Sequence, residues 1–279
     1  DYAPVPPATA VPPPDPPGLH TMLSIERRNT RLWHTSNALL RLAVLRGATR
    51  PFATNAIVNE YPKSGGTWMS QMLAEALGLP FPRNRLPMLG SCLMQCHVLN
   101  PLGMRRVTVV WRDGRDIMVS FYHHLLIGHE HASPEVAAAN RRRTGIDDPA
   151  DVRANLPRFI EALYEKRLGP SFTWSEFVSV WAGRTDIQEV RYENLLVDAA
   201  KEVSRVVEGL TGQPMAPSRA QAIAERFSFT SQTGRSRGTE GEAGRFLRKG
   251  IAGEWRSVFT PEAHAVFNHF AGDALACLG

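Results

Sequence analysis

The chain is predicted to be a three-layer α/β fold around a central, mainly parallel sheet. Three observations predict it. The runs AIVNEY (56–61), RVTVVW (106–111) and IQEVRY (187–192) have the length and β-branched content of buried strands. Segments of helical period lie between them, and strands alternating with helices favour parallel pairing. The first strand also runs straight into Pro62-Lys63-Ser64-Gly65-Gly66-Thr67 and then an apolar helical pattern, the layout in which backbone N–H groups meet a phosphate.

In chain order, residues 1–18 carry a crowd of prolines and read as an extended tail or linker without regular structure. Residues 19–50 hold a basic amphipathic segment, with Leu32, Trp33, Leu39, Leu40 and Leu45 among Arg27, Arg31, Arg41 and Arg46. Two readings stand for its stretch 19–47: a helix packed on the main domain, or a helix that docks on a membrane surface or partner. Residues 51–279 form the main domain. After the first strand, Trp68, Met69, Met72, Leu73, Ala76 and Leu77 recur at helical spacing until Gly78-Leu79-Pro80 ends them. After the second strand, Asp113 offers N-cap chemistry for a helix through Ile117, Phe121 and Leu125. Residues 128–157 are polar, carry Arg141-Arg142-Arg143 and read as a mobile insertion. Helical pattern returns in FIEALYEKRL and WSEFVSVWAG, ahead of the third strand.

Composition bounds the function. Three cysteines in 279 residues fit a reducing, cytoplasmic setting better than a disulfide framework. Cys92-x3-Cys96-His97 lacks the spacing and the second pair of a zinc site, so no metal is expected. The start of the chain has no basic-then-apolar signal layout, and no run of about 18 apolar residues is present to span a bilayer. The +5 net charge suits an anionic ligand, while no nucleic-acid-binding motif is present.

The phosphate loop is not that of an ATPase. There the lysine follows the glycines and is followed by the magnesium-binding hydroxyl. Here Lys63 precedes Gly65 and Gly66, and the second strand ends in Arg112 rather than in an acidic metal ligand. Side-chain cations, not magnesium, are expected to meet the phosphate charge.

With these residues in view, the chain resembles the cytosolic-type sulfotransferases, which use 3′-phosphoadenosine 5′-phosphosulfate (PAPS) and have a P-loop-like fold. Tyr61 to Trp68 match their YPKSGTTW except for Gly66 in place of the first threonine. The resemblance implies that Lys63, Ser64, Gly65, Gly66 and Thr67 hold the 5′-phosphosulfate, with Trp68 against the adenine. Arg112 and Ser120, eight positions apart, are similar to the pair that binds the 3′-phosphate, and FLRKGIAGEW (246–255) to the block RKGxxGDW, which implies Arg248, Lys249 and Gly250 in the same site. Tyr192, in VRYENLLVD, and Phe229, in FSF, are similar to two further nucleotide contacts, Phe229 facing Trp68 across the base.

The reaction so implied is in-line transfer of a sulfonate from PAPS to an acceptor hydroxyl, releasing PAP. His97, in MQCHVLNP, occupies the place of the family's base, with His123 and His124 as rivals. A neutral imidazole is suited to take the proton. Lys63 is implied to meet the charge on the leaving phosphate, and Ser120 to restrain that lysine. The acceptor, whether phenol, alcohol, glycoside or lipid, would be shaped by residues 80–104 and 126–172, both of which read as loop-like. The family's dimer segment falls on Arg256, Thr260, Pro261 and Ala265, with two departures. A nucleotide-binding scaffold of the same fold without turnover is the alternative, and a magnesium-dependent kinase a more distant one.

Overall fold

The computed structural model describes residues 31–51, 53–83, 90–128, 134–239 and 247–279. The proline-rich segment 1–18 and residues 19–30 of the amphipathic stretch lie outside these. Four strands, β1 (Ala56–Glu60), β2 (Leu93–Cys96), β3 (Val107–Trp111) and β4 (Ile187–Arg191), form one sheet in the order β2-β1-β3-β4. All three pairings are parallel. β1 and β3 are buried at every position, which is why their sequences are near-continuous apolar runs. β4, at one edge, buries only Val190 fully.

Successive residues serve opposite layers. Ala56 and Val58 pack with Leu93, Val110 and Val190 against Met69, Met72 and Leu73 of α2 (Gly66–Leu77) and Leu195, Val203 and Val206 of α7 (Tyr192–Thr211). Ile57, Met94, Val107 and Val109 face the other way. They meet Ile117 and Phe121 of α3 (Gly114–Tyr122), Phe159 of α5 (Val152–Glu165), Phe177 and Trp181 of α6 (Trp174–Trp181), and Phe267 of α11 (Pro261–Leu278). Helix, sheet, helix is the predicted architecture.

Before the sheet, α1 (Arg31–Leu45) buries Val44 and Leu45 and leaves Leu39 62% exposed. Its Arg41 guanidinium donates to the carbonyls of Arg83 and Gln95, both at 2.9 Å, and so ties the helix to the β2 side of the domain.

Two expectations are corrected. The stretch around His97 begins with strand β2, not with loop, because β1 supplies a free edge on which four residues can pair. Within residues 128–157, read from the sequence as a mobile insertion, lie α4 (Pro134–Thr144) and the start of α5. α4 buries Ala137, Asn140 and Thr144, and Asn140 donates to the Leu125 carbonyl at 3.2 Å. That carbonyl belongs to a π-helical turn, His123–Ile127, which continues α3. Asp113 caps α3 as expected, accepting from the Arg115 N–H at 2.9 Å.

The strand order reverses between β1 and β3. In open parallel sheets the crevice for ligands opens at such a point, beyond the carboxyl ends of the strands. The chain leaves β1 there into the loop Tyr61–Gly65 and leaves β3 there into Arg112. The crevice is also reached by the start of α7, by α9 (Phe229–Thr233) with Phe227, which follows α8 (Pro217–Arg226), and by the segment that leads into α10 (Trp255–Val258).

Candidate active site

A cleft of about 720 Å³ opens at this point, and the site residues named from the sequence line it, except Ser64, which is buried in the loop, and the rival histidine His123. Lys63, Gly65, Gly66, Thr67 and Trp68 come from the β1–α2 loop and first turn, Arg112 follows β3, and Ser120 lies on α3. Tyr192 opens α7, Phe229 opens α9, and Arg248, Lys249 and Gly250 precede α10. His97 follows β2, is solvent-exposed, and lines the same cleft.

Close approaches set the loop. Lys63 and Gly65 both have positive φ, 79° and 98°. A Cβ on Gly65 would stand 2.6 Å from the Tyr192 ring, so the glycine lets α7 close on the loop. Gly250, at φ 63°, likewise lies against Phe229, whose ring would be 2.5 Å from an added Cβ.

Arg112 joins two of the predicted blocks. It donates to the Lys63 carbonyl at 3.0 Å and to the Ile251 carbonyl at 3.2 Å, and its guanidinium lies 4.4 Å from the Tyr192 ring centroid. Arg248 and Lys249 both reach the Glu254 carboxylate, Lys249 at 3.0 Å and Arg248 through both of its terminal nitrogens. Burial alone would raise Glu254, but these two cations outweigh it and hold the carboxyl down at about 2. Lys63 moves the other way. Burial lowers its ammonium to about 8, opposed by the charge of Glu60 and assisted by Arg112 and Arg248.

His97 Nδ1 lies 3.0 Å from the Glu60 carbonyl oxygen. A carbonyl only accepts, so Nδ1 carries the hydrogen, and in the neutral imidazole Nε2 is then the atom with the lone pair. Of the rivals, His124 also lines the cleft and stacks on Phe121, while His123 packs edge-on to Tyr122 outside it.

Several cleft or support residues went unread in the sequence. Asp116, fully buried, accepts from the N–H groups of Gly253 at 2.6 Å and Trp255 at 3.0 Å and so fixes the segment after Gly250. Burial pushes its carboxyl up, against the pull of Arg112 and those two N–H groups. Arg235 donates to the carbonyls of Leu247 and Arg248, and Arg237 lies 5.6 Å from the Trp68 ring centroid. The only signal for these two was a pair of arginines close after FSF. Asp116→Ala leaves two N–H groups without their acceptor, and is expected to cost about 2–3 kcal/mol of stability in a denaturant titration.

Two buried donors in the cleft walls, Arg112 Nε and Trp68 Nε1, have no hydrogen-bond partner among the described residues. With four cations, the α2 N-terminus and two aromatic rings, this donor set fits a nucleotide carrying phosphate at both ends.

The chain belongs to the sulfotransferase family: the family's sulfotransferase domain matches residues 102–279. His97 and the loop 61–68 precede the matched span. Bovine (Bos taurus) sulfotransferase 1A1 is 22% identical over 271 residues, covering 79% of this chain and 83% of its own. The fold is shared with mouse sulfotransferase SULT7A1, solved in complex with PAP, at a TM-score of 0.55 and 18% identity over 84% of this chain and 91% of that one. It is shared equally with retinol dehydratase, solved with androsterone and the inactive cofactor PAP, at a TM-score of 0.55 and 17% identity over 79% and 80%.

Proposed function

We propose that this cleft binds PAPS and that the protein transfers its sulfonate to the hydroxyl of an alcohol, phenol, glycoside or lipid. The observation that carries the reading is convergence. Separate segments bring Lys63, Arg112, Arg248 and Lys249 into one cleft whose wall also holds an exposed histidine, His97, with Nδ1 against the Glu60 carbonyl.

When bound, PAPS supplies the sulfonate and leaves as PAP. Arg112, Arg248 and Lys249 hold the 3′-phosphate, with Ser120 beside them, and Gly65, Gly66 and Thr67 offer backbone N–H groups to the 5′ end. Trp68 and Phe229 take the adenine between them, with Tyr192 packed edge-on to Trp68 at 6.1 Å. His97 Nε2 accepts the acceptor's hydroxyl proton, and Lys63 stabilises the negative charge that develops on the departing phosphate.

The test is transfer from radiolabelled PAPS to a panel of hydroxyl acceptors, alongside calorimetric titration with PAP. Tight PAP binding and label transfer are expected. PAP binding without transfer to any acceptor would leave a nucleotide-binding module, and no PAP binding would remove the reading altogether.

A further inference from the structure

The residue before the phosphate loop, Glu60, is 3% exposed yet lines the cleft. Its Oε2 accepts the N–H of Gly66, the first residue of α2, and its Oε1 accepts from Gln95 Nε2 at 2.7 Å. Gln95 Nε2 is also 3.0 Å from the Thr67 hydroxyl. A Cβ on residue 66 would stand 2.5 Å from Glu60 Oε1 and 2.7 Å from Oε2. Gly66 and the carboxylate are therefore a matched pair: only glycine leaves room for it. The N–H it takes is one that a bound phosphate would use, because the first N–H groups of a helix and its dipole favour an anion there.

We propose that Glu60 is a specificity-determining residue of the nucleotide site, an internal anion that holds the 5′-phosphate seat against small free anions. It yields that seat only to a ligand anchored elsewhere in the cleft. The inference rests on the PAPS reading above. A loose sulfate or phosphate must displace the carboxylate and gains only the vacated donor. A nucleotide also gains Arg112, Arg248, Lys249 and the aromatic walls, and these contacts offset the displacement. Gln95 keeps one oxygen of the carboxylate as it turns away from Gly66.

Glu60→Gln keeps the shape and the acceptor oxygen but removes the charge. By calorimetry, inorganic sulfate is expected to bind Glu60→Gln about tenfold or more tighter than it binds wild type. The preference for PAP over sulfate is expected to narrow. Unchanged or weaker sulfate binding in a folded Glu60→Gln overturns the proposal. If that variant does not fold, Gly66→Ala evicts the carboxylate by its methyl group, and a failure to gain sulfate affinity there is equally decisive. A wild type that binds no PAP sinks the PAPS reading, whereas the sulfate comparison reads Glu60 by itself.

Discussion

His97→Ala is expected to lower kcat by roughly 10²- to 10⁴-fold while PAP still binds with wild-type affinity. The split follows from position. His97 lines the cleft beside the phosphate loop, but the cations and rings that would hold PAP come from other segments. Its contact from Nδ1 to the Glu60 carbonyl at 3.0 Å favours the neutral tautomer in which Nε2 is the acceptor. Single-turnover transfer from radiolabelled PAPS, with a parallel PAP titration, checks both halves. Near-normal transfer across pH would move the base elsewhere, with His124 the first candidate because it shares the cleft.

Lys63→Ala is expected to cost about 10²- to 10³-fold in kcat, the scale on which removing one preorganised charge from a developing anion is felt. The wild type also carries a pH signature of this lysine. Burial, with Arg112 and Arg248 nearby, brings its ammonium down to about 8, and Glu60 opposes them. The group is charged below that value and neutral above it. kcat/KM reports the free enzyme, so it should fall as pH rises through about 8. Lys63→Arg stays charged throughout the alkaline range and should lose that limb. A limb unchanged in Lys63→Arg would assign it to another group.

Much of this was readable from the chain, and the unread parts have identifiable causes. β1 and β3 were legible because strands buried on both faces must be apolar throughout, and β4 because Ile187 and Val190 still mark it. β2 was not, because Leu93-Met94-Gln95-Cys96 is short and broken by a polar residue. Its strand state comes from pairing with β1, not from local preference. α4 was hidden by its charge: it buries only three residues, so most of its sequence is chosen by solvent.

The site divides along the same line. Lys63, Arg112, Arg248 and Lys249 stand in recognisable blocks, because a phosphate needs a particular local chemistry of glycine, cation and helix start. Their meeting in one cleft required the parallel order β2-β1-β3-β4, which places the ends of β1 and β3 side by side. Gly66 was visible in the sequence only as a departure. Tertiary packing decided its meaning, since the space left by its missing side chain is filled by Glu60, a residue six positions earlier. Asp116 was equally silent, for its partners Gly253 and Trp255 lie more than a hundred residues away. The sequence by itself determined which groups can bind phosphate, because that depends on local backbone freedom and charge. Only the tertiary structure decided which carboxylates oppose, orient or support them, because a buried charge is governed by whatever the fold brings within a few ångströms.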